Sequence, residues 1–598
     1  MTTMTCRSCD VIVPTGEFCG NCGAPASRRR GDGPPWLRLS AYAAAPREHV
    51  LRPSVTSTIY PSLPRGSRMA FRLALVGVVA LLVGTALPMW QAALIGLIGF
   101  GLPLLFLAYL KQTDAFADLT TGTLLTTAAL AVAFGIGWGL ATDAAAARTD
   151  DDALGLPVST LRILLTGFAI PLGFLVLLLA PMIIVRVWRP GSRESLNGFT
   201  IGSLGALFFV SAGSLTRLAP QFANGPVDHD GRSPVHLVIA GLIQGVAVPL
   251  TAVAVGGAIG ATLWFVPRAD SRRKPPWYAL TSPAPAIAFG LATYLGLGLL
   301  DFVMPPDDVG TAVYAFLAVL ALYALRIVVH STLLHERPDE QRPDELVNCP
   351  ECEHVVPDLA FCPRCGIAGR AATRTSAAVR TTSPARLLSF VAVVVALVMA
   401  GSVGLSVWRT PSKAQVVCPP DCGHPPISKP VAINPRFTPS GGEFSVSYPG
   451  EQTAYDATFE SNGVVLDLRA GDGGTLRLFG QPANGQTPRQ IANDLLREHY
   501  PDATFAYEIP NAFVGYQLGY GEVADDYPAD AIGDDGRNRV LIMVAVKHDF
   551  ALIAAAAGPF REFSPEFGSG HPSGANFFLA LDMAKYVNSF MWRGDPPR

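Results

Sequence analysis

The sequence predicts a multi-domain membrane protein with a polytopic α-helical bundle of about eight plus one transmembrane helices, two small cysteine-rich ribbons and a C-terminal α+β domain outside the membrane. Hydrophobic residues make up 50% of the 598 residues and charged residues only 15%, whereas soluble domains are about 25% charged. Eight of the ten cysteines fall into two groups of four. The formal net charge of -2 gives the chain no general attraction to nucleic acid or to an anionic lipid surface.

Each cysteine group follows the spacing C-x2-C-x9-C-x2-C, at positions 6–22 and again at 349–365. Three neighbouring features recur at matching positions: Val13-Pro14 and Val356-Pro357, Phe18 and Phe361, Gly23 and Gly366. A C-x2-C turn presents two thiolates together, and two such turns complete a tetrahedral S4 site with Zn–S distances of about 2.3 Å. The motif resembles the small zinc ribbons found at the ends of bacterial membrane proteins.

The spacing therefore predicts two structural zinc ions, because four protein ligands leave no open position for catalysis. The predicted ligands are Cys6, Cys9, Cys19, Cys22, Cys349, Cys352, Cys362 and Cys365. Disulfide pairs or a redox C-x-x-C are the alternatives. We place the first zinc ribbon at residues 1–26, a linker at 27–68 and the second zinc ribbon at 346–368. The arginines at 28–30 are expected to form a cytoplasmic flank, and nucleic acid is not expected as a partner.

Nine apolar stretches are long enough to cross a hydrocarbon core, which takes about 20 helical residues. They lie at 73–90, 91–110, 119–142, 163–185, 195–216, 237–267, 279–300, 309–325 and 387–408. The first eight are assigned to a membrane domain at 69–335, and the ninth is a separate transmembrane helix. The eighth stretch is the weakest. The stretch at 237–267 is expected to kink or break, because it contains Pro249 and the pair Gly256-Gly257.

Loop charges predict the orientation. If the N-terminus lies inside, the inner loops are 111–118, 186–194 and 268–278, and together they contain eight Lys or Arg. The outer loops are then 143–162, 217–236 and 301–308, and they contain four. This bias agrees with the positive-inside rule. We therefore predict a multi-pass protein of the plasma membrane, surrounded by membrane lipid, with the N-terminus and both ribbons in the cytoplasm. The ninth helix then leads the C-terminus to the extracytoplasmic side.

A proline-rich linker at 409–440 follows the ninth helix and contains Cys418 and Cys422. Because this segment is predicted to lie in an oxidising compartment, we expect a disulfide between these two cysteines. Intermolecular pairing is the alternative.

The remaining residues, 441–598, are predicted to form the α+β domain. Alternating apolar residues favour strands at 444–448, 463–468, 475–479, 503–509, 513–523, 538–547 and 550–557. Thr487-Pro488 begins a helix as an N-cap and first-turn proline, and an amphipathic helix is expected at about 574–592. An acidic stretch, consisting of Asp525, Asp526, Asp530, Asp534 and Asp535, lacks the ligand order of a calcium loop and is interpreted as a solvated loop.

Three segments of the membrane domain occur in a recognisable order. They are Pro-Leu-Leu-Phe-Leu-Ala-Tyr-Leu at 103–110 followed by Asp114, Leu-Asn-Gly-Phe-Thr-Ile-Gly at 196–202, and Pro-Val-His at 234–236. This order resembles the PrsW-type intramembrane metalloproteases. In that family paired glutamates on one helix, a Phe-x-x-x-Glu, a histidine and a His-x-x-x-Asp are thought to build the metal site.

Only part of that site has a counterpart here. The segment 167–174 contains no carboxylate and 209–213 contains no glutamate, whereas His236 matches the family histidine. Asp301 matches the final aspartate, but Leu297 stands where the family has a histidine. The resemblance thus implies a scaffold without catalytic residues, with His236 and Asp301 as a relic site. The plainer interpretation is a histidine at a helix start and a solvated carboxylate at a loop edge.

The order of strands and helices after residue 441 is similar to the PsbP-like or Mog1-like sandwich of exported actinobacterial lipoproteins, which implies a domain that binds a protein or envelope ligand. Three functions remain open. The favoured one is a non-enzymatic envelope sensor or scaffold that joins cytoplasmic zinc ribbons to the exoplasmic binding domain. The alternatives are an intramembrane metalloprotease of the PrsW type and a transporter of a lipid or small solute, both of which need polar or ionisable groups at membrane depth.

Overall fold

The computed structural model describes residues 2–7, 9–26, 55–61, 63, 65–113, 119–149, 164–188, 194–224, 226–227, 234–268, 276–303, 307–337, 345–349, 352, 354–369, 384–409, 434–449, 455–468, 474–501, 503–526, 538–559 and 577–596. The chain divides into two compact units. The first unit comprises Met1–Ala145, Ile163–Ala219 and Ser233–Leu405, and the second comprises Ala146–Arg162, Pro220–Arg232 and Ser406–Arg598.

Helices dominate the first unit. They are α1 (Val55–Ile59), α2 (Arg65–Ala86), α3 (Gln91–Gln112), α4 (Thr121–Thr149), α5 (Ile170–Trp188), α6 (Ser195–Leu218), α7 (Pro234–Leu242), α8 (Val248–Leu263), α9 (Pro283–Val303), α10 (Asp307–His335) and α11 (Pro384–Arg409). Within the described ranges, nine helical spans are long and apolar enough to cross a membrane. This finding confirms the predicted count and the helical, membrane-type composition of this part of the chain.

Two of the predicted spans differ most from the bounds in the structure. The first candidate span covers Ser67–Ala86 rather than 73–90, so its first six residues include Arg68 and Arg72. The eighth covers Val309–His335 rather than 309–325. The predicted stretch stopped at the first charged residue, Arg326, although the apolar helix continues to His335. The eighth span is therefore one of the two longest of the nine, not the shortest.

Helices α6 and α8 pack closely because each presents two glycines, spaced four residues apart, to the other. A Cβ atom at Gly202 would lie 2.1 Å from the carbonyl oxygen of Gly256, and one at Gly260 would lie 2.1 Å from that of Gly198. Such small-residue spacing allows backbone-to-backbone approach in membrane helices. The glycine-rich character of α6 thus reflects this contact.

The long stretch at 237–267 does not break. One π-helical turn at Ile243–Ala247 joins α7 to α8, and Pro249 is the second residue of α8. A proline inside a continuous helix leaves a carbonyl of the preceding turn without its backbone donor. A second π-helical turn at Leu165–Ala169 precedes α5. The expected interruption is therefore a π-helical turn in a continuous helix.

A seven-stranded antiparallel sheet forms the centre of the second unit. Its order is β10-β13-β14-β15-β9-β8-β7, with β7 (Tyr455–Glu460), β8 (Gly463–Leu468), β9 (Thr475–Pro482), β10 (Thr504–Glu508), β13 (Tyr520–Asp526), β14 (Asn538–Lys547) and β15 (Phe550–Pro559). A smaller sheet has the order β16-β6-β5 and a hairpin pairs β11 with β12. These strands are β5 (Arg436–Phe437), β6 (Phe444–Ser447), β11 (Phe513–Val514), β12 (Gln517–Leu518) and β16 (Met591–Trp592).

Both faces of the large sheet are covered. On one face Ile542 and Ile553 pack with helix α12 (Pro488–His499), whose predicted N-cap is present as a capping box between Thr487 and Gln490. On the other face Leu541 and its neighbours pack with helix α13 (Phe577–Tyr586) and the small sheet. The alternation of apolar side chains along each strand therefore fills two cores.

Three expectations for this unit need correction. The last helix ends at Tyr586 rather than near 592, because a 3-10 turn and strand β16 follow and bury Phe590. The short strand β5 and strand β7 were not predicted. Asp525 does not belong to a solvated loop: it lies in β13 and is 5% exposed. The later part of the acidic stretch, 527–537, falls outside the described residues.

Candidate metal centres

The first ribbon is built from a hairpin and two tight turns. Strands β1 (Thr3–Thr5) and β2 (Ile12–Pro14) pair in antiparallel register. The turn between them carries Cys6 and Cys9 and is closed by a bond from the amide of Cys6 to the carbonyl of Val11, 2.9 Å. A second turn carries Cys19 and Cys22. It is closed by a hydrogen bond of 2.8 Å from the amide of Cys19 to the carbonyl of Ala24. The C-x2-C spacing thus folds into two turns that face each other.

The second ribbon repeats this structure. Strands β3 (Leu346–Asn348) and β4 (Val355–Pro357) pair as β1 and β2 do. The amides of Cys349 and Cys362 donate to the carbonyls of His354 and Ile367, both at 2.9 Å. Gly366 has φ 78°, as Gly23 has φ 71° at the equivalent position. This left-handed conformation suits glycine, which explains why the motif repeats that residue.

Each ribbon brings its four sulfur atoms together. The four Sγ atoms of either cluster lie within 4.8 Å of one another. The distances Cys6–Cys22 and Cys9–Cys19 are 3.7 and 3.8 Å, and Cys349–Cys365 and Cys352–Cys362 are 3.7 and 3.9 Å. Tetrahedral coordination with Zn–S bonds of about 2.3 Å separates sulfurs by about 3.8 Å, whereas a disulfide needs about 2.05 Å. All eight cysteines are free thiols, so the clusters fit a metal ion and not a pair of disulfides.

Hydrogen bonds among the sulfurs favour thiolates. A hydrogen bond from the Cys22 thiol lowers the pKa of Cys19 to about 5, against the opposing effect of burial. At the equivalent position, hydrogen bonds from Cys349 and Cys365 lower the pKa of Cys362 to about 4. The pKa of Cys22 is raised because its thiol proton is shared with Cys19. These hydrogen bonds thus favour the thiolate form, which is the form that binds metal.

The two ribbons pack against each other with approximate two-fold symmetry. The amide of Phe18 donates to the carbonyl of Pro363, 2.9 Å, and the amide of Phe361 donates to the carbonyl of Gly20, 3.0 Å. Phe18 and Phe361 are equivalent in the repeat, as are Gly20 and Pro363, so the two bonds are related by the symmetry. A Cβ atom at Gly20 would lie 2.3 Å from Leu359. The repeated motif thus forms a self-complementary pair, which we call the ribbon pair.

The first ribbon contacts the segment that follows α8. The Arg268 guanidinium donates to the backbone carbonyl of Asn21, 3.0 Å, and to its side-chain Oδ1. The Asn21 amide in turn donates to the Sγ of Cys9, 3.6 Å. Sequence reasoning missed Asn21 and Arg268. The sequence does not single them out, because position 21, whose equivalent is Arg364, is one of many positions at which the two ribbons differ.

Arg268 belongs to a junction between helix ends, which we call the corner and define as residues 264–268 and 335–337. The amide of Arg268 donates to the carbonyl of His335, 3.1 Å, and the amide of Arg337 donates to that of Val266, 2.9 Å. The carboxylate of Glu336 accepts bonds from the amide and the hydroxyl of Ser195, 2.7 and 3.0 Å. A carboxylate at a helix N-terminus is stabilising, so the corner joins α6, α8 and α10.

The other predicted site residues are not tested. His236 lies in the first turn of α7 and Asp301 in the last turn of α9, and their side chains fall outside the described part of the structure. Cys418 and Cys422 also lie outside the described ranges. The relic site and the disulfide remain predictions.

Two buried basic residues lie inside the eighth span. Arg326 is 2% exposed and His330, one turn later on α10, is 1% exposed. The predicted eighth stretch ended at residue 325, so it placed both residues outside the membrane. Ionisable side chains at membrane depth are costly and commonly serve a function.

Neither the comparison with protein-family models nor that with curated proteins finds a match. Among solved structures, a crystal structure from Bacteroides thetaiotaomicron matches with a TM-score of 0.17 and 11% identity. The match covers 27% of this chain and 48% of that one.

Proposed function

We propose that this chain is a non-enzymatic sensor or scaffold of the plasma membrane, in which two zinc-binding ribbons in the cytoplasm are linked through nine transmembrane helices to an extracytoplasmic binding domain. The observation that carries the proposal is the pair of S4 clusters, whose sulfur spacings of 3.7 to 3.9 Å match tetrahedral zinc. A zinc ion with four protein ligands stabilises the fold of its ribbon and has no free coordination position for a reacting water.

The corner supports the proposed orientation. The start of α6 and the ends of α8 and α10 meet there, and Arg268 contacts the first ribbon at the same place. In the predicted topology these three helix ends all lie on the inner side. Arginine at this end agrees with the positive-inside rule, and a reducing cytoplasm keeps the thiols available for zinc.

Metal analysis of the purified full-length protein tests the zinc proposal. We expect two zinc ions per chain, both lost in the double variant Cys6→Ser and Cys349→Ser, and no change in His236→Ala. Fewer than two ions in the native protein would contradict the ribbon assignment. A third ion that disappears with His236→Ala would instead support the PrsW-type metalloprotease.

Thiol labelling of intact cells tests the orientation. A membrane-impermeant reagent should label Cys418 and Cys422 only after reduction and should leave the ribbon cysteines unlabelled. Labelling of Cys349 or Cys362 from outside would contradict the topology.

Arg326 and His330 favour a second candidate function, the transport or binding of an anionic lipid or solute. Both are buried on one face of α10 within a candidate span, and arginine stays charged there. Native mass spectrometry of the intact protein in anionic lipid tests this candidate. Retention of an anionic lipid that is lost in Arg326→Gln but kept in Arg217→Gln, a variant of another arginine within a span, would support it. Equal retention in all three proteins would exclude it.

A further inference from the structure

The first ribbon is connected to the helices through its metal site. Asn21 uses both ends of its side-chain amide: Nδ2 donates to the sulfur of Cys9 at 3.6 Å, and Oδ1 accepts from Arg268. The backbone carbonyl of Asn21 accepts a second bond from the same guanidinium at 3.0 Å. One residue thus links a metal-binding sulfur to the corner, as outer groups commonly do around metal ligands.

The charge of the cluster decides the strength of this link. Four thiolates around a divalent ion have a net charge of about -2, and the metal-free cluster is less negative because protons return to its thiols. Arginine remains positively charged under all physiological conditions. The contact between Arg268 and Asn21 is therefore stronger when metal is bound, because the guanidinium then lies beside an anionic centre and the amide that joins them is polarised by both.

The second ribbon lacks this link. Its residue equivalent to Asn21 is Arg364, and an arginine side chain has five donors and no acceptor. It cannot accept a bond from another arginine. The two clusters therefore share ligands and sulfur spacing but differ in the side chain beside them, and within the described residues the first site is the one linked to the corner.

We propose that the first ribbon is a metal-dependent latch, held on the corner by Arg268 when its cluster is loaded and released when the metal is lost. The latch rests on the proposed zinc sites and gives them a regulatory role. Hydrogen bonds connect residues 264–268 with 335–337, and Glu336 with Ser195. Metal binding at the first site therefore affects the ends of α6, α8 and α10. The signal is a change in metal supply on the side of the membrane where the ribbons lie.

Coupling between the corner and the metal must be reciprocal, because binding free energies are linked. Loss of the Arg268 contact should weaken the first site, and loss of its metal should loosen the corner. Substitution of groups outside the ligands changes metal affinity by about 10- to 100-fold. Arg268 contacts Asn21 but no cysteine sulfur that the structure describes, so an effect of its substitution on metal release would report the link and not damage to the ligands.

Metal release from the zinc-loaded full-length protein in lipid nanodiscs tests the latch. With an excess of a chromophoric chelator, we expect Arg268→Ala to release one of its two ions about tenfold faster than the native protein, with the other ion unchanged. Arg364→Ala, the matched change in the second ribbon, should leave the release of the ion from the first ribbon as it is in the native protein. Asn21→Ala removes the bond to Cys9 as well as the Oδ1 acceptor, so it should release the same ion at least as fast as Arg268→Ala. The double variant should release that ion more slowly than the two single effects combined would predict, because the variants share the Oδ1 contact.

Hydrogen exchange provides the reciprocal measurement. In the native protein, removal of the metal should increase exchange of the amides of Arg268 and Arg337, which bond across the corner, while the amides in the middle of α8 stay protected. If Arg268→Ala releases both ions at native rates and the corner exchanges equally with and without metal, the latch is wrong. A native protein that binds no metal overturns the zinc proposal and the latch together, whereas two ions with unchanged release overturn the latch alone.

Discussion

The buried ion pair between Asp525 and Arg539 allows a quantitative prediction for the second unit. The two residues lie opposite each other on β13 and β14. Arg539 Nε donates to one carboxylate oxygen at 2.7 Å and a terminal nitrogen donates to the other at 2.9 Å. Their side chains are only 8% and 7% exposed. Replacement by Arg539→Met would leave the aspartate buried without its bidentate partner.

The expected cost is about 3–5 kcal/mol, the range for removing one member of a buried pair. Since about 1.4 kcal/mol corresponds to a factor of ten, the amides of β13 and β14 should exchange about 100- to 4000-fold faster. Hydrogen exchange with mass spectrometry on the full-length protein resolves these strands, whereas a single melting temperature would mix the transitions of two units.

Two control variants separate the pair from a general loss of packing. The double variant Asp525→Leu and Arg539→Met should come close to the native protein, because replacement of both charges avoids the unpaired carboxylate. Arg497→Ala should have almost no effect: its distance to Asp494 is 3.9 Å and both side chains are more than half exposed. The reasoning fails if Arg539→Met exchanges within a factor of two of the native protein, or if the double variant is as labile as the single one.

Three further predictions concern packing and helix ends. Gly202→Ala should lower the thermal stability of the detergent-solubilised protein, because its Cβ atom would lie 2.1 Å from a carbonyl of α8, and Gly137→Ala, at a position with no neighbour within 4 Å, should not. Phe590→Ala, at a site with 0% exposure, should destabilise the strands around it by about 3–5 kcal/mol, measured by hydrogen exchange of β6; native protection there would contradict the packing. Glu336→Ala should increase exchange at the start of α6, since Ser195 loses two charge-assisted bonds worth about 1.5–3 kcal/mol each, and unchanged exchange would show that the carboxylate does not hold this helix.

Sequence spacing was sufficient for the metal centres because their geometry is local. Cys6 and Cys9 lie on one turn, and a short hairpin fixes the distance from that turn to Cys19 and Cys22. Few backbone conformations satisfy four thiolates at once, so the pattern alone predicts the site. The same holds for the capping box at Thr487, whose two hydrogen bonds span three residues.

The errors arose where a longer-range contact decided the structure. Phe590 was assigned to a helix by its apolar spacing, but the pairing of β16 with β6, far away in the chain, places it in a strand-like conformation. Asp525 was assigned to a loop because a run of aspartates is usually exposed to solvent. Its ion-pair partner, Arg539 on β14, could not be identified from the sequence. Arg326 was excluded by its charge, although α10 continues through it and surrounding helices bury it.

The difference between Asn21 and Arg364 has a consequence for how the ribbon pair is oriented. A pair with approximate two-fold symmetry offers two nearly equal faces, so either ribbon could in principle rest on the corner. Asn21 accepts two bonds from Arg268, whereas Arg364 in its place would bring two guanidinium groups together. Two like charges about 4 Å apart repel by about 4 kcal/mol at an effective dielectric constant of about 20. The side chain at position 21 therefore favours the arrangement in which the first ribbon, and not the second, rests on the corner.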